Sequence, residues 1–205
     1  MITGWLPLYL RSRRVPLAAP MSLAAVAAVT LLWSTSADGP EVGPGLAALT
    51  VVLALAPLIP TLTGDDDSLE GATALPWPPR RVLHLLAAGT FVAALLLVAR
   101  AAGADFGPAG QIIRNSAGLA GLIGLGVALL GPRLAWAAPI GWAALQAMLA
   151  GTGGPGWQQS LFWLIQPAGS VPAALTAAVL LLAGVIGYAV RTSPPTAANE
   201  ATMSR

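Results

Sequence analysis

The feature that most constrains this chain is a recurring block of mostly apolar residues, at 17–36, 45–63, 82–100, 115–131, 134–150 and 168–190, with charge confined to the stretches between. An α-helix rises 1.5 Å per residue, so crossing a hydrocarbon core of about 30 Å takes about 20 such residues. A single segment satisfies its own backbone hydrogen bonds in lipid only as a helix. The pattern therefore predicts an all-α polytopic membrane protein with about six transmembrane helices. The fourth and fifth blocks are short, and Gly131-Pro132-Arg133 between them predicts a tight turn, hence a helical hairpin. With 56% hydrophobic and 9% charged residues, the chain cannot cover a soluble core of this length with polar side chains, where about 25% charge is usual.

Orientation follows from arginine, because basic side chains near span ends are retained in the cytoplasm. All ten basic residues are arginine. With the N-terminus inside, Arg11, Arg13, Arg14, Arg80, Arg81, Arg133, Arg191 and Arg205 are cytoplasmic, and Arg100 and Arg114 lie outside. An even number of spans returns the C-terminus to the cytoplasm. This divides the chain into an N-terminal interfacial helix at 1–14, a membrane domain at 15–191 and a polar, disordered tail at 192–205. The competing reading is a twin-arginine signal, with Ser12-Arg13-Arg14-Val15-Pro16-Leu17 as its start and Ser34-Thr35-Ser36-Ala37 as a cleavage region. It is disfavoured because the later spans need an inserted first helix, and because Trp5, Leu6, Leu8 and Tyr9 precede the arginines.

Three segments are not simple spans. Ile2, Trp5, Leu6 and Tyr9 recur at i, i+3, i+4 and i+7, which predicts a helix lying in the cytoplasmic interface. Between the second and third spans, Gly64 to Arg81 holds Asp65, Asp66, Asp67 and Glu70, half of the eight acidic residues. Asp67 three residues before Glu70 suits a capping box, so a short helix from about Ser68 to Leu75 is expected to stop at Pro76. Pro76, Pro78 and Pro79 are expected to impose an extended bend, with Arg80 and Arg81 anchoring the next span at the headgroups. A short, stiff, charged cytoplasmic helix suits docking to a partner. The aspartates lack the spacing, central glycine and closing glutamate of a calcium loop; a solvated loop is the plainer alternative. On the outer side, Trp157, Leu161, Leu164 and Ile165 fall on one helical face after a glycine-rich loop, in a piece too short to span. It is expected to lie in, or dip into, the outer interface.

Within the fourth block, Ala117 with Gly121 and Ala120 with Gly124 are small-xxx-small pairs that let helix backbones approach, within the chain or across a dimer. Asn115, Ser116 and Gln146 are the polar candidates for contacting a substrate, although such residues also bond neighbouring helices. His84 is read as an interfacial anchor at the start of the third span. Much chemistry is excluded. Without cysteine there is no disulfide, thiolate metal site or thiol catalysis. The sequence shows no phosphate loop, zinc motif or serine elbow, and no basic stripe interleaved with aromatics for nucleic acid. The chain is expected to be no enzyme and to bind no cofactor or metal itself.

The order of parts is an interfacial helix, two spans, a short acidic-then-basic cytoplasmic helix, and four spans with an amphipathic outer piece before the last. This resembles the permease subunit of an ABC-2 type transporter, the type V exporter fold. In that family the loop after the second span often reads as a glutamate, a short helix, a leucine-proline and an arginine pair. This chain has Glu70, Ala74-Leu75-Pro76 and Arg80-Arg81. The resemblance implies that Asp67, Glu70, Leu75 and Pro76 belong to a coupling helix docking on a separate ABC ATPase subunit. Asp65, Asp66, Ser68, Arg80 and Arg81 would complete the ATPase docking stretch, and Ile2 to Tyr9 would be the connecting helix. It further implies a second permease copy or sister permease, ATP and Mg held in the partner ATPase, residence in a bacterial inner membrane, and export of a hydrophobic or amphiphilic compound. The chain departs from the family in being short, with little room for a large extracellular domain. Two rivals are a membrane scaffold or assembly factor that transports nothing, and a secondary carrier, for which the expected internal repeats and midplane polar breaks are absent from the sequence.

Overall fold

Proline and glycine punctuate the apolar blocks, and the helices begin and end at them. The computed structural model describes residues 5–37, 39–63, 77–149 and 151–190. Helix α1 spans Trp5–Ser12, and Arg14, with φ of 57°, occupies the left-handed region and separates it from α2, Val15–Ser36. Within the stretch 1–14, expected to form an interfacial helix, residues Trp5–Ser12 are helical, and Ile2 lies outside the described residues. The second block forms α3, Pro44–Leu55, and then tightens into a 3₁₀ segment, Ala56–Leu62. Pro57 and Pro60 explain the change, since each lacks the N–H that would continue the α-helical ladder.

Helix α4 spans Trp77–Ala101, so Pro78 and Pro79 lie in its first turn and not in the extended bend expected for them. A first-turn proline gives up an N–H that has no intrahelical partner anyway. Helix α5, Ala109–Leu130, likewise starts before the expected 115, immediately after Pro108, and takes Arg114 inside the helix instead of beyond it. The chain then turns through Gly131 (φ 78°) into α6, Ala137–Leu149. Helix α7 is Gly156–Leu161 and α8 is Val171–Val190.

Among the described residues five helical segments, Val15–Ser36, Pro44–Leu62, Pro78–Ala101, Ala109–Leu130 and Val171–Val190, are long and apolar enough to cross a membrane. The expected fifth span at 134–150 is the exception and corrects the count of six. Its helix has 13 residues, a rise of about 20 Å. Pro139 is best tolerated in a first turn, which fixes the start near Ala137, and residues 132–136 are used by the turn.

Contacts between named residues give the helix directions. Arg13, at the start of α2, reaches the Leu62 carbonyl at the end of the 3₁₀ segment, so α2 and α3 are antiparallel. Gly89 of α4 faces Ala120 of α5, while Leu85 faces Gly124, so these two are antiparallel as well. Gly118 of α5 packs near Ala177 of α8, and Gly124 near Gly184, making α5 and α8 parallel. Helix α6 carries the chain back between them: Gly126 meets Ala135 at one end, and Gly45 of α3 meets Ala147 at the other. The start of α2 and the end of α8 therefore lie at one end of the bundle, here the Arg13 end. Arg11, Arg14, Arg80, Arg81 and Arg133 sit at that end, and Arg100 and Arg114 sit toward the opposite one, the Arg114 end.

Helix α5 is central, and its contact with α8 is the most extensive between any two helices. The small residues make this possible. Gly121 lies against the backbone of Leu180 and Leu181, and Gly184 against the backbone of Gly121, with no room for a Cβ at either. At the Arg114 end the loops are tied together. Asp105 N–H donates to Pro40 O at 2.8 Å, Val42 N–H to Asp105 O at 2.9 Å, and Arg100 Nε pairs with Asp105 Oδ1 at 3.2 Å.

Candidate functional site

Buried polar side chains gather at the two ends of the bundle. At the Arg114 end they surround an irregular segment, 162–167, between α7 and α8. The predicted amphipathic face at 157–165 does not form. Helix α7 ends at Leu161, Trp157 remains 70% exposed, and Trp163, Leu164 and Ile165 turn into the protein, with Leu164 at 0%. A surface helix buries one stripe, whereas this run of consecutive apolar residues is buried on all sides, which a helix lying in the interface cannot achieve. Irregular backbone at membrane depth is tolerated only where protein groups satisfy it.

That satisfaction comes from two helices. Asn115 Nδ2 donates to Leu164 O at 2.7 Å, and Gln111 Nε2 approaches the same oxygen at 3.4 Å. The Leu164 N–H donates to Gln146 Oε1 of α6 at 3.0 Å. Arg114 closes the segment by donating from Nη2 to Gln166 O at 2.6 Å and from Nη1 to Pro167 O at 2.9 Å, while its Nε reaches Asn115 Oδ1 at 3.2 Å. Gln166 in turn accepts from Gly153 N–H at 2.8 Å, which pins the glycine loop. Gly153 and Gly154 both have φ of 87°, a conformation that favours glycine. The Trp163 indole lies directly over Gly118.

At the Arg13 end, three elements converge on the last two residues of the 3₁₀ segment. The Leu62 carbonyl, at a helix end and therefore without an intrahelical donor, accepts from Arg13 Nη1 at 3.3 Å and from Tyr188 Oη of α8. Thr61 Oγ1 donates to Leu58 O at 2.6 Å and stands 2.9 Å from His84 Nε2, so the imidazole supplies the proton of that bond. The Tyr9 ring meets His84 edge-on at 5.9 Å, and the Arg13 guanidinium lies 5.6 Å from the Tyr9 centroid. His84 is thus a partnered residue in the packed end of the bundle, beyond the anchoring expected of it.

The structure places the residues singled out from the sequence as follows. Asp65, Asp66, Asp67, Ser68, Glu70, Leu75 and Pro76 lie outside the described residues; Arg80 and Arg81 are half-buried in the first turn of α4. Gly121 and Gly124 pack inside the chain against α8, and Gly124 also meets Leu85. Ala117 and Ala120, with Leu85, Gly89, Ala93 and Leu181, line an apolar cavity of about 350 Å³ between α4, α5 and α8. Asn115, Ser116 and Gln146 are all buried; Asn115 and Gln146 hold Leu164, while Ser116 Oγ and Gln146 Nε2 have no hydrogen-bond partner among the described residues. Sequence reading missed Gln111, Trp163, Gln166 and Tyr188. Their signal was weak: a polar or aromatic residue inside an apolar block names no partner. Among the described residues no group of three His, Cys, Asp or Glu side chains is placed to hold a metal ion. No protein-family model, curated protein or solved structure matches this chain.

Proposed function

We propose that this chain is the permease subunit of an ATP-driven transporter of the ABC-2 type, working with separate ATPase subunits and a second permease copy or sister permease. ATP and Mg would be held by the ATPase. The carrying observation is the direction of the chain. The start of α2, the end of the 3₁₀ segment, the start of α4 and the end of α8 all meet at the arginine-rich end. By the arginine rule that end faces the cytoplasm, and the proposed setting is a bacterial inner membrane. Residues 64–76, with their aspartates, Glu70 and Pro76, connect two elements at that end and are therefore within reach of a cytoplasmic ATPase. The apolar cavity beside α4 and α5 suits a hydrophobic or amphiphilic cargo, and export is the favoured direction.

Co-purification from membranes tests the reading. Pulling down the chain recovers an ATPase, and reversing the charge of Asp67 and Glu70 releases it. Recovery of the same ATPase with the reversed chain would remove the docking site from this stretch. A non-transporting scaffold is the second reading, favoured by one observation: Asn115 and Gln146, offered as path residues, are engaged in holding Leu164. Reconstitution with the recovered ATPase separates the two, since a scaffold supports no ATP-dependent flux of an amphiphilic dye across vesicles.

A further inference from the structure

The two polar clusters join the same pair of bodies at opposite ends. One body is α5 with α8, locked by backbone contact at Gly121 and Gly184. The other is α3 with its 3₁₀ segment and α6, which meet at Gly45 and Ala147. At the Arg13 end, Tyr188 of the first body donates to Leu62 of the second. At the Arg114 end, segment 162–167 belongs to the first body, through Asn115, Arg114 and the Trp163 contact with Gly118, and it is bonded to the second through Gln146. Both junctions tie a main-chain group of a buried residue to a distant side chain, Tyr188 at Leu62 beside Arg13 and Gln146 at Leu164, and a buried main-chain group is costly to leave without its partner.

We infer that α5 and α8 move as one rod against α3 and α6, and that the Tyr188–Leu62 and Gln146–Leu164 bonds are latches at its two ends, so that releasing the first loosens the second. Glycine-to-backbone packing leaves no slack between α5 and α8, so a shift at Tyr188 is carried along the helix and not absorbed. The Leu62 carbonyl lies immediately before residues 64–76, so any partner that displaces that stretch acts on the inner latch. The inference does not depend on that partner being an ATPase, and its test uses the chain alone.

The absence of native cysteine makes the test clean. Leu164→Cys keeps the main-chain bonds of the segment and puts a thiol at a fully buried site. Its modification by a charged, water-soluble methanethiosulfonate reagent is followed in membranes. Tyr188→Phe, which deletes one hydroxyl, is expected to raise the modification rate roughly tenfold, the scale on which losing one buried hydrogen bond shifts a local opening equilibrium. Thr61→Val breaks the His84 contact of the neighbouring residue without touching the rod and leaves the rate unchanged. A Tyr188→Phe rate within twofold of the parent overturns the inference, and so does an equal rise in Thr61→Val, which would mean general loosening.

Discussion

The Asn115 side-chain amide donates to the main-chain carbonyl of Leu164, 49 residues away, at 2.7 Å. Both groups are buried, and the bond fixes an irregular segment against the first turns of α5. What reads in the sequence as a polar residue available to a substrate is, in the fold, the donor that makes this segment possible.

Asn115→Leu is therefore expected to destabilise the protein by about 1–2 kcal/mol, since the carbonyl keeps only the longer contact to Gln111. Thermal unfolding in detergent measures it. An Asn115→Leu protein as stable as the parent would show that the segment is held by its apolar contacts alone.

The glycines of the α5–α8 contact separate into those that must be glycine and those that need not be. A Cβ on Gly184 would run into the main chain of Gly121, which cannot move aside as a side chain can. Gly184→Ala is expected to cost about 1–3 kcal/mol by overpacking. A Cβ on Gly187 would stand 3.5 Å from Leu125 Cδ2 and 3.6 Å from Ala128 Cβ, ordinary contact distances. Gly187→Ala should be neutral or slightly stabilising, because alanine is the better helix former. Matched melting curves test the pair, and equal effects would contradict the packing described.

Much of the fold was legible because its physics is local. The blocks at 17–36, 45–63, 82–100 and 168–190 each lie within, or nearly coincide with, a segment long enough to span, since length and apolarity alone determine such a helix. The errors share a different cause. Arg114 reads as the end of a span because a charge in lipid is costly, but carbonyls 52 and 53 residues further along pay its desolvation. The same remote partners draw 162–167 inward and break the helical face expected of Trp157, Leu161, Leu164 and Ile165. Pro139 shortened the fifth block, and that signal was present locally. The Tyr188–Leu62 bond joins residues 126 apart, and nothing near either one announces it.

Trp163 and Gly118 offer a test of shape. A Cβ at Gly118 would stand 2.6 Å from Trp163 Cζ3, so Gly118→Ala alone forces the indole out of place. Trp163→Phe alone leaves a void, at a cost of a few kcal/mol less the part recovered by relaxation. Together the two changes offset one another, the methyl entering space the smaller ring vacates. The double variant is expected to be more stable than the sum of the single effects by about 1 kcal/mol or more, read from a double-mutant cycle of unfolding. Strict additivity would mean that the two residues do not touch.

Arg114 is the most exacting case, because it is a buried cation whose hydrogen-bond partners among the described residues are all neutral oxygens: the carbonyls of Gln166 and Pro167 and the side chain of Asn115. Its role depends on the fork of the guanidinium, which reaches two consecutive carbonyls at once, a geometry that an ammonium reproduces only in part. Arg114→Lys should keep the charge and one of the two carbonyl bonds, and Arg114→Met should keep the bulk and neither. The expected order of stability is parent, then lysine, then methionine, with the methionine variant lower by about 2–3 kcal/mol for two unsatisfied carbonyls. Because Gln166 also holds Gly153, loosening is expected to spread to the glycine loop, and limited proteolysis between 151 and 156 should quicken in the same order. If methionine proved as stable as lysine with unchanged cleavage, the charge and fork would be irrelevant and the residue would serve by its aliphatic stem alone.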